Sequence, residues 1–115
     1  HVHTIDNNLV SEWYGDQGFV PAQGIELIKA FNIWEEDAAI SIPILPNYAD
    51  IPKIAALVPD ALDPSVPGIL LRNHGIYAWG RNAFEAKKHL EAFEFIFEYT
   101  YRRLLLNAAG SNQAR

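Results

Sequence analysis

The chain opens on an alternating segment. His1-Val2-His3-Thr4-Ile5 alternates in polarity and carries β-branched residues, which predicts the end of a strand. Leu9, Val10 and Trp13 line one face of a short helix, which the run Gly15-Asp16-Gln17-Gly18 breaks. Between Gly24 and Ile33 the residues Ile25, Ile28 and Phe31 recur at every third position with Leu27 beside them, predicting a helix. Ala38 to Ile44 reads as a strand. Pro43 cannot donate a ladder hydrogen bond, so that strand has a free side or a bulge there. Asp50 is placed to cap a short helix whose apolar stripe is Ile51, Ile54, Leu57 and Val58, and the proline-rich run from Pro59 to Pro67 is a loop. Ile69-Leu70-Leu71 and Ile76-Tyr77-Ala78-Trp79 form two strands about a tight turn at Asn73-His74-Gly75, closed by Gly80.

The longest helix is predicted from Asn82 to about Asn107, with Asn82 and Glu85 spaced as a capping box. Leu90, Phe93, Phe97 and Leu104 form its apolar stripe, and Phe95, Ile96, Tyr99 and Tyr101 widen it until most sides are apolar. Such a helix needs neighbours on more than one face. Lys87 with Glu91 and Glu98 with Arg102 are spaced for surface ion pairs. His89 is read as a surface residue, Glu35-Glu36-Asp37 as a solvated run, and the tail 111–115 as frayed.

Composition narrows the classes of function. Half of the 115 residues are hydrophobic and 20% are charged, which suits one folded domain, and the net charge of −5 argues against nucleic acid as a partner. No apolar run is long enough to span a bilayer and no signal peptide is visible, so a cytoplasmic protein is the default reading. The absence of cysteine excludes disulfides and thiolate ligands, leaving His, Asp and Glu for any metal. The chain has no methionine and starts at His1, which reads as an N-terminally truncated piece of a longer protein.

Within those limits, six residues are candidates for chemistry. Residues two apart in a strand point the same way, so His1 and His3 can chelate a divalent ion. A bare His-x-His is, however, more often a solvated pair or a tag remnant. His74 stands between an apolar strand and a glycine that implies positive φ or close backbone approach. Alone it reads as a turn histidine bonded to backbone, but aimed at His1 and His3 it completes a three-histidine site with an open fourth position. Glu26 either faces solvent or serves as a general acid/base beside such a site. Arg72 and Arg81 flank the histidine hairpin, to bind an anion or to cap the surface.

Together the segments His1-Val2-His3-Thr4, Gly24-Ile25-Glu26-Leu27-Ile28-Lys29-Ala30 and Leu71-Arg72-Asn73-His74-Gly75-Ile76-Tyr77-Ala78-Trp79-Gly80 resemble the class II aldolase/adducin family over nearly the whole chain. The Tyr77 and Trp79 hairpin and the run from Ala86 to Phe97 are most similar to its sugar-phosphate dehydratase branch. The resemblance implies an α/β fold, a three-layer α/β/α domain with a mostly antiparallel central sheet, of which residues 1–110 are the C-terminal portion. It implies zinc, one divalent ion per subunit, held by His1, His3 and His74, with Glu26 as acid/base. The implied activity is zinc-dependent dehydration of the phosphorylated ketose 5-methylthioribulose 1-phosphate to its 2,3-diketo product in methionine salvage, by a homotetramer with sites between subunits. In the family's sugar-phosphate aldolases the catalytic glutamate precedes the His-x-His pair. Here Glu26 follows it, which favours dehydration over the alternatives of an aldolase or a non-catalytic adducin-like binding module. The family's phosphate-binding residues lie largely before that pair, and Ile25 stands where many relatives carry a polar residue.

Overall fold

A computed structural model describes residues 1–113, with side chains through Gly110. The tail expected to fray at 111–115 lies, in its side chains and its last two residues, outside the described residues. The element order is α1 (Ile5–Trp13), β1 (Phe19–Gln23), a 3₁₀ helix (Glu26–Phe31), β2 (Ala39–Leu45), α2 (Ile51–Ala61), β3 (Gly68–Leu71), β4 (Gly75–Ala78) and α3 (Ala83–Gln113). Among the described residues no helix is long and apolar enough to cross a membrane.

The four strands form one sheet in the order β1-β2-β3-β4. It is mixed rather than purely antiparallel: β1 with β2 and β3 with β4 are antiparallel, and β2 with β3 is parallel. The parallel pair needs a crossover connection, and α2 supplies it. Neighbouring residues along the strands face opposite sides of the sheet. Ile44, Leu70 and Ile76 join the larger apolar cluster with Val10 of α1, Ile28 and Phe31 of the 3₁₀ helix, and Phe93, Ile96 and Phe97 of α3. Leu45, Ile69 and Leu71 face the other way, onto Ile54 of α2. Helices therefore cover both faces. Phe93 and Phe97 are fully buried, and burial of such a side chain contributes about 1.5–3 kcal/mol.

Several expectations change in instructive ways. The opening segment contributes a single bridge, Val2 to Ile76, instead of a strand end. Helix α1 starts at Ile5 because Thr4 and Asn7 form a reciprocal capping box. β1 was not legible as a strand, because it is five residues long and holds Pro21. As the edge of the sheet it tolerates a residue without an N–H, and its alternating burial hides Val20 and Ala22. The helix expected over Gly24–Ile33 is a short 3₁₀ helix, and a strict spacing of three is the period of that form. Asn32, at φ 62°, ends it in the left-handed region.

Helix α2 runs through Pro59, where a loop was expected to begin. Asp50 caps its first turn through its backbone oxygen and not its side chain. Helix α3 continues past Asn107 to Gln113. Its capping box is half formed: Asn82 accepts from the Glu85 N–H, while the Glu85 carboxylate turns to the backbone and guanidinium of Arg81. Arg81 holds that carboxyl down at about 2. His89 is buried rather than on the surface, bonded through Nδ1 to the Trp79 carbonyl at 2.7 Å and lying edge-on to Phe31.

Candidate metal centre

The capping box that starts α1 also fixes the arm before it. The Thr4 hydroxyl donates to the carboxylate of Glu94 on α3 at 3.0 Å, and fully buried Asn7 donates to Glu94 at 2.9 Å and to the Val2 carbonyl at 3.2 Å. Desolvation raises the Glu94 pKa, against the lowering effect of these donors. Val2 then exchanges two backbone hydrogen bonds with Ile76, which places His1 and His3 on either side of β4 residue Ile76's partner and over the start of that strand.

His74 arrives from the other direction, on the turn between β3 and β4. The preceding Asn73 takes φ 53°, and its N–H donates to the Oγ of buried Ser11 at 2.8 Å. Arg72 braces the same turn against α1. Its guanidinium reaches both carboxylate oxygens of Glu12 and one of Asp16, at 3.0–3.1 Å, which raises its pKa further. Of the two sequence readings of Arg72, the surface brace is the one these contacts describe.

The two approaches converge. One nitrogen from each of His1, His3 and His74 lies within 4.8 Å of the others. The His1 and His3 rings are 5.0 Å apart, His3 and His74 are 4.7 Å apart edge-on, and Tyr77 of β4 stacks flat on His1 at 4.4 Å. His1 and His3 are exposed and His74 is half-buried, so the cluster faces outward. Three imidazoles at this separation, with no further His, Cys or carboxylate in the group among the described residues, fit a divalent ion with an open position. Imidazole suits zinc, iron, cobalt and nickel alike.

Gly75 is what lets the arm lie this close. A Cβ there would stand 2.5 Å from the Val2 carbonyl oxygen and 3.0 Å from Cδ2 of His3. Of the two reasons given for a glycine at that position, close approach applies, since its φ is not positive. Gly75→Ala is expected to cost about 1–3 kcal/mol of stability and to weaken zinc binding. Thermal unfolding and zinc titration check this, and an alanine variant equal to wild type in both would mean the arm does not pack against Gly75.

Glu26 is not part of this cluster. It opens the 3₁₀ helix, its side chain is 83% exposed, and it pairs with Lys29 at 2.7 Å. The sheet register separates it from His74. Gln23, just before it, pairs with Ala39 at the start of β2, whereas Leu45 at the end of β2 pairs with Leu71, next to the histidine turn. At ~3.3 Å per residue, β2 puts roughly 20 Å between those ends. Asn8, Ser11 and Asn47 also support the site, and none stands out by residue type, because each looks like an ordinary turn or cap residue.

Comparison with known proteins fits this geometry. The Class II Aldolase and Adducin N-terminal domain family matches residues 1–101. The chain is 58% identical over 106 residues to methylthioribulose-1-phosphate dehydratase of Geobacillus sp. (strain WCH70), covering 92% of this chain and 50% of that protein. It is 54% identical over 99 residues to the protein of that name from Persephonella marina (86% and 46%), and 52% identical over 99 residues to that of Bacillus subtilis (86% and 47%). The chain thus spans about half the length of the curated relatives it matches.

Proposed function

Because this chain belongs to the class II aldolase and adducin family, we propose that it carries the metal-binding part of a hydro-lyase that dehydrates 5-methylthioribulose 1-phosphate, the substrate class named by its relatives. The observation that carries the reading is the convergence of His1, His3 and His74 on one point. The three histidines would hold zinc, one ion per subunit. A bound ion of this kind supplies Lewis-acid stabilisation of the negative charge that develops beside the ketose carbonyl.

The chain's own residues do the rest. The histidines would set where the carbonyl end of the substrate sits, and Tyr77 stacks flat on the His1 ring beside them. Glu26 takes the proton from the carbon next to the carbonyl. The hydroxyl one carbon further on then leaves, takes up a proton and departs as water, and the resulting enol ketonises to the 2,3-diketone. Since roughly 20 Å of sheet separates Glu26 from the histidines of its own chain, the glutamate acts on substrate held by a neighbouring copy. A homotetramer with sites between subunits provides that arrangement. Exposed Trp13, Phe84, Phe95 and Leu106 suit burial between copies. The three-layer α/β/α form of the parent domain, a cytoplasmic location and a place in methionine salvage belong to the same reading.

The test is to supply the zinc-loaded protein with 5-methylthioribulose 1-phosphate and follow products by NMR. A diketone of unchanged carbon count is expected. Shorter carbonyl fragments would replace dehydration by aldol cleavage, and unchanged substrate would reject both.

A further inference from the structure

The ring of His74 is held from outside the histidine cluster. Its Nδ1 lies 3.0 Å from Oδ1 of Asn47, just beyond the end of β2. An amide oxygen only accepts, so Nδ1 carries the hydrogen and Nε2 is left with the free lone pair. The backbone sets this distance. Leu45 pairs with Leu71, and its carbonyl accepts the Arg72 N–H at 2.8 Å, so the segment holding Asn47 and the turn holding His74 leave the sheet side by side. The main chain of His74 is held separately. Its carbonyl accepts from Nδ2 of Asn8 at 2.9 Å, and the same amide nitrogen lies 3.0 Å from the Thr4 carbonyl and 2.9 Å from Asn7 Oδ1.

We infer that Asn47 is a positioning residue of the metal centre: it selects the His74 tautomer that offers Nε2 and fixes the ring plane toward His1 and His3. This rests on the reading of those three histidines as ligands and deepens it. A ligating histidine whose second nitrogen donates to a fixed acceptor is oriented and made more basic, and loss of such an acceptor typically costs 10–100-fold in metal affinity. Asn47 is exposed and outside both apolar clusters, so replacing it leaves the core intact.

The decisive comparison is wild type against Asn47→Leu and Asn47→Asp, each titrated with zinc against a chelator and with cobalt as a spectroscopic probe. The leucine variant is expected to bind zinc about 10–100-fold more weakly, with a shifted cobalt absorption band. The aspartate variant, which accepts the same hydrogen, is expected to restore both. Nitrogen-15 NMR of the His74 ring in the metal-free protein gives a second readout, a single Nδ1–H tautomer in wild type and a mixture in the leucine variant. If the leucine variant keeps wild-type affinity, cobalt spectrum and tautomer, Asn47 merely ties down its loop and the inference is overturned. If wild type binds no zinc, the metal reading fails, while the tautomer measurement still decides whether Asn47 sets the His74 ring.

Discussion

His74→Ala is expected to abolish stoichiometric zinc binding and with it dehydratase turnover. His74 is the only member of the cluster contributed by the β3–β4 turn, and His1 and His3 alone leave a two-ligand site. The loss should exceed the 10–100-fold that follows removal of an outer partner. Lewis-acid stabilisation is worth several kcal/mol, so turnover should fall by on the order of 10³-fold or more. The fold should survive, because the turn keeps the bonds that do not use the His74 ring: the Asn73 N–H to Ser11, the Asn8 amide to the carbonyl of residue 74, and the Arg72 ion pairs with Glu12 and Asp16. Metal analysis after gel filtration, with a thermal melt beside it, checks both halves. A variant that melts like wild type yet retains a full equivalent of zinc would sink the three-histidine site.

Glu26→Gln is expected to leave metal content unchanged and to lower turnover by roughly 10²–10⁴-fold, the usual contribution of a positioned acid/base. Its effect on folding should be small, since the side chain is exposed and loses only a surface pair with Lys29. The sheet register adds a sharper consequence. If Glu26 serves the histidines of another copy, neither Glu26→Gln nor His74→Ala is active alone. Hybrids of the two then contain sites with an intact glutamate from one chain and an intact histidine set from the other. Refolding the variants together should recover a fraction of wild-type turnover. Full activity of Glu26→Gln alone removes the residue from the mechanism, and inactive hybrids remove its action across subunits.

Much of this architecture was legible in the residues. The period of α3, the β3–β4 hairpin and the segment that became β2 follow from local hydrophobic spacing, which tertiary packing then reinforced. The His-x-His pair and His74 were visible as candidates, yet their convergence was not, because it depends on a bridge between Val2 and Ile76 that no local pattern announces. β1 escaped because edge strands are exempt from the rule that excludes proline. Buried His89 looked like a surface residue because helical spacing says nothing about the Trp79 carbonyl that satisfies it. Glu26 shows the limit most clearly. Its distance from the histidines comes from strand pairing, a non-local property, while its residue type and helix would suit a site in either place.

The bridge between Val2 and Ile76 also bears on stability. His3 and His74 stand 71 positions apart (74 − 3), and beyond that bridge the arm is held by the hydrogen bonds of Thr4 and Asn7, by Tyr77 stacked on His1 and by Val2 packed against the larger apolar cluster. An ion shared by the three histidines is therefore a cross-link that closes most of the chain into a ring. Its binding energy adds to the folded state in proportion to the logarithm of free zinc. Chelation would release the arm before it melts the sheet, uncovering the outer backbone groups of Ile76 on edge strand β4. An unpaired edge of that kind is the surface at which sheets of separate molecules join, so an ion held by the three histidines would also guard the chain against aggregation.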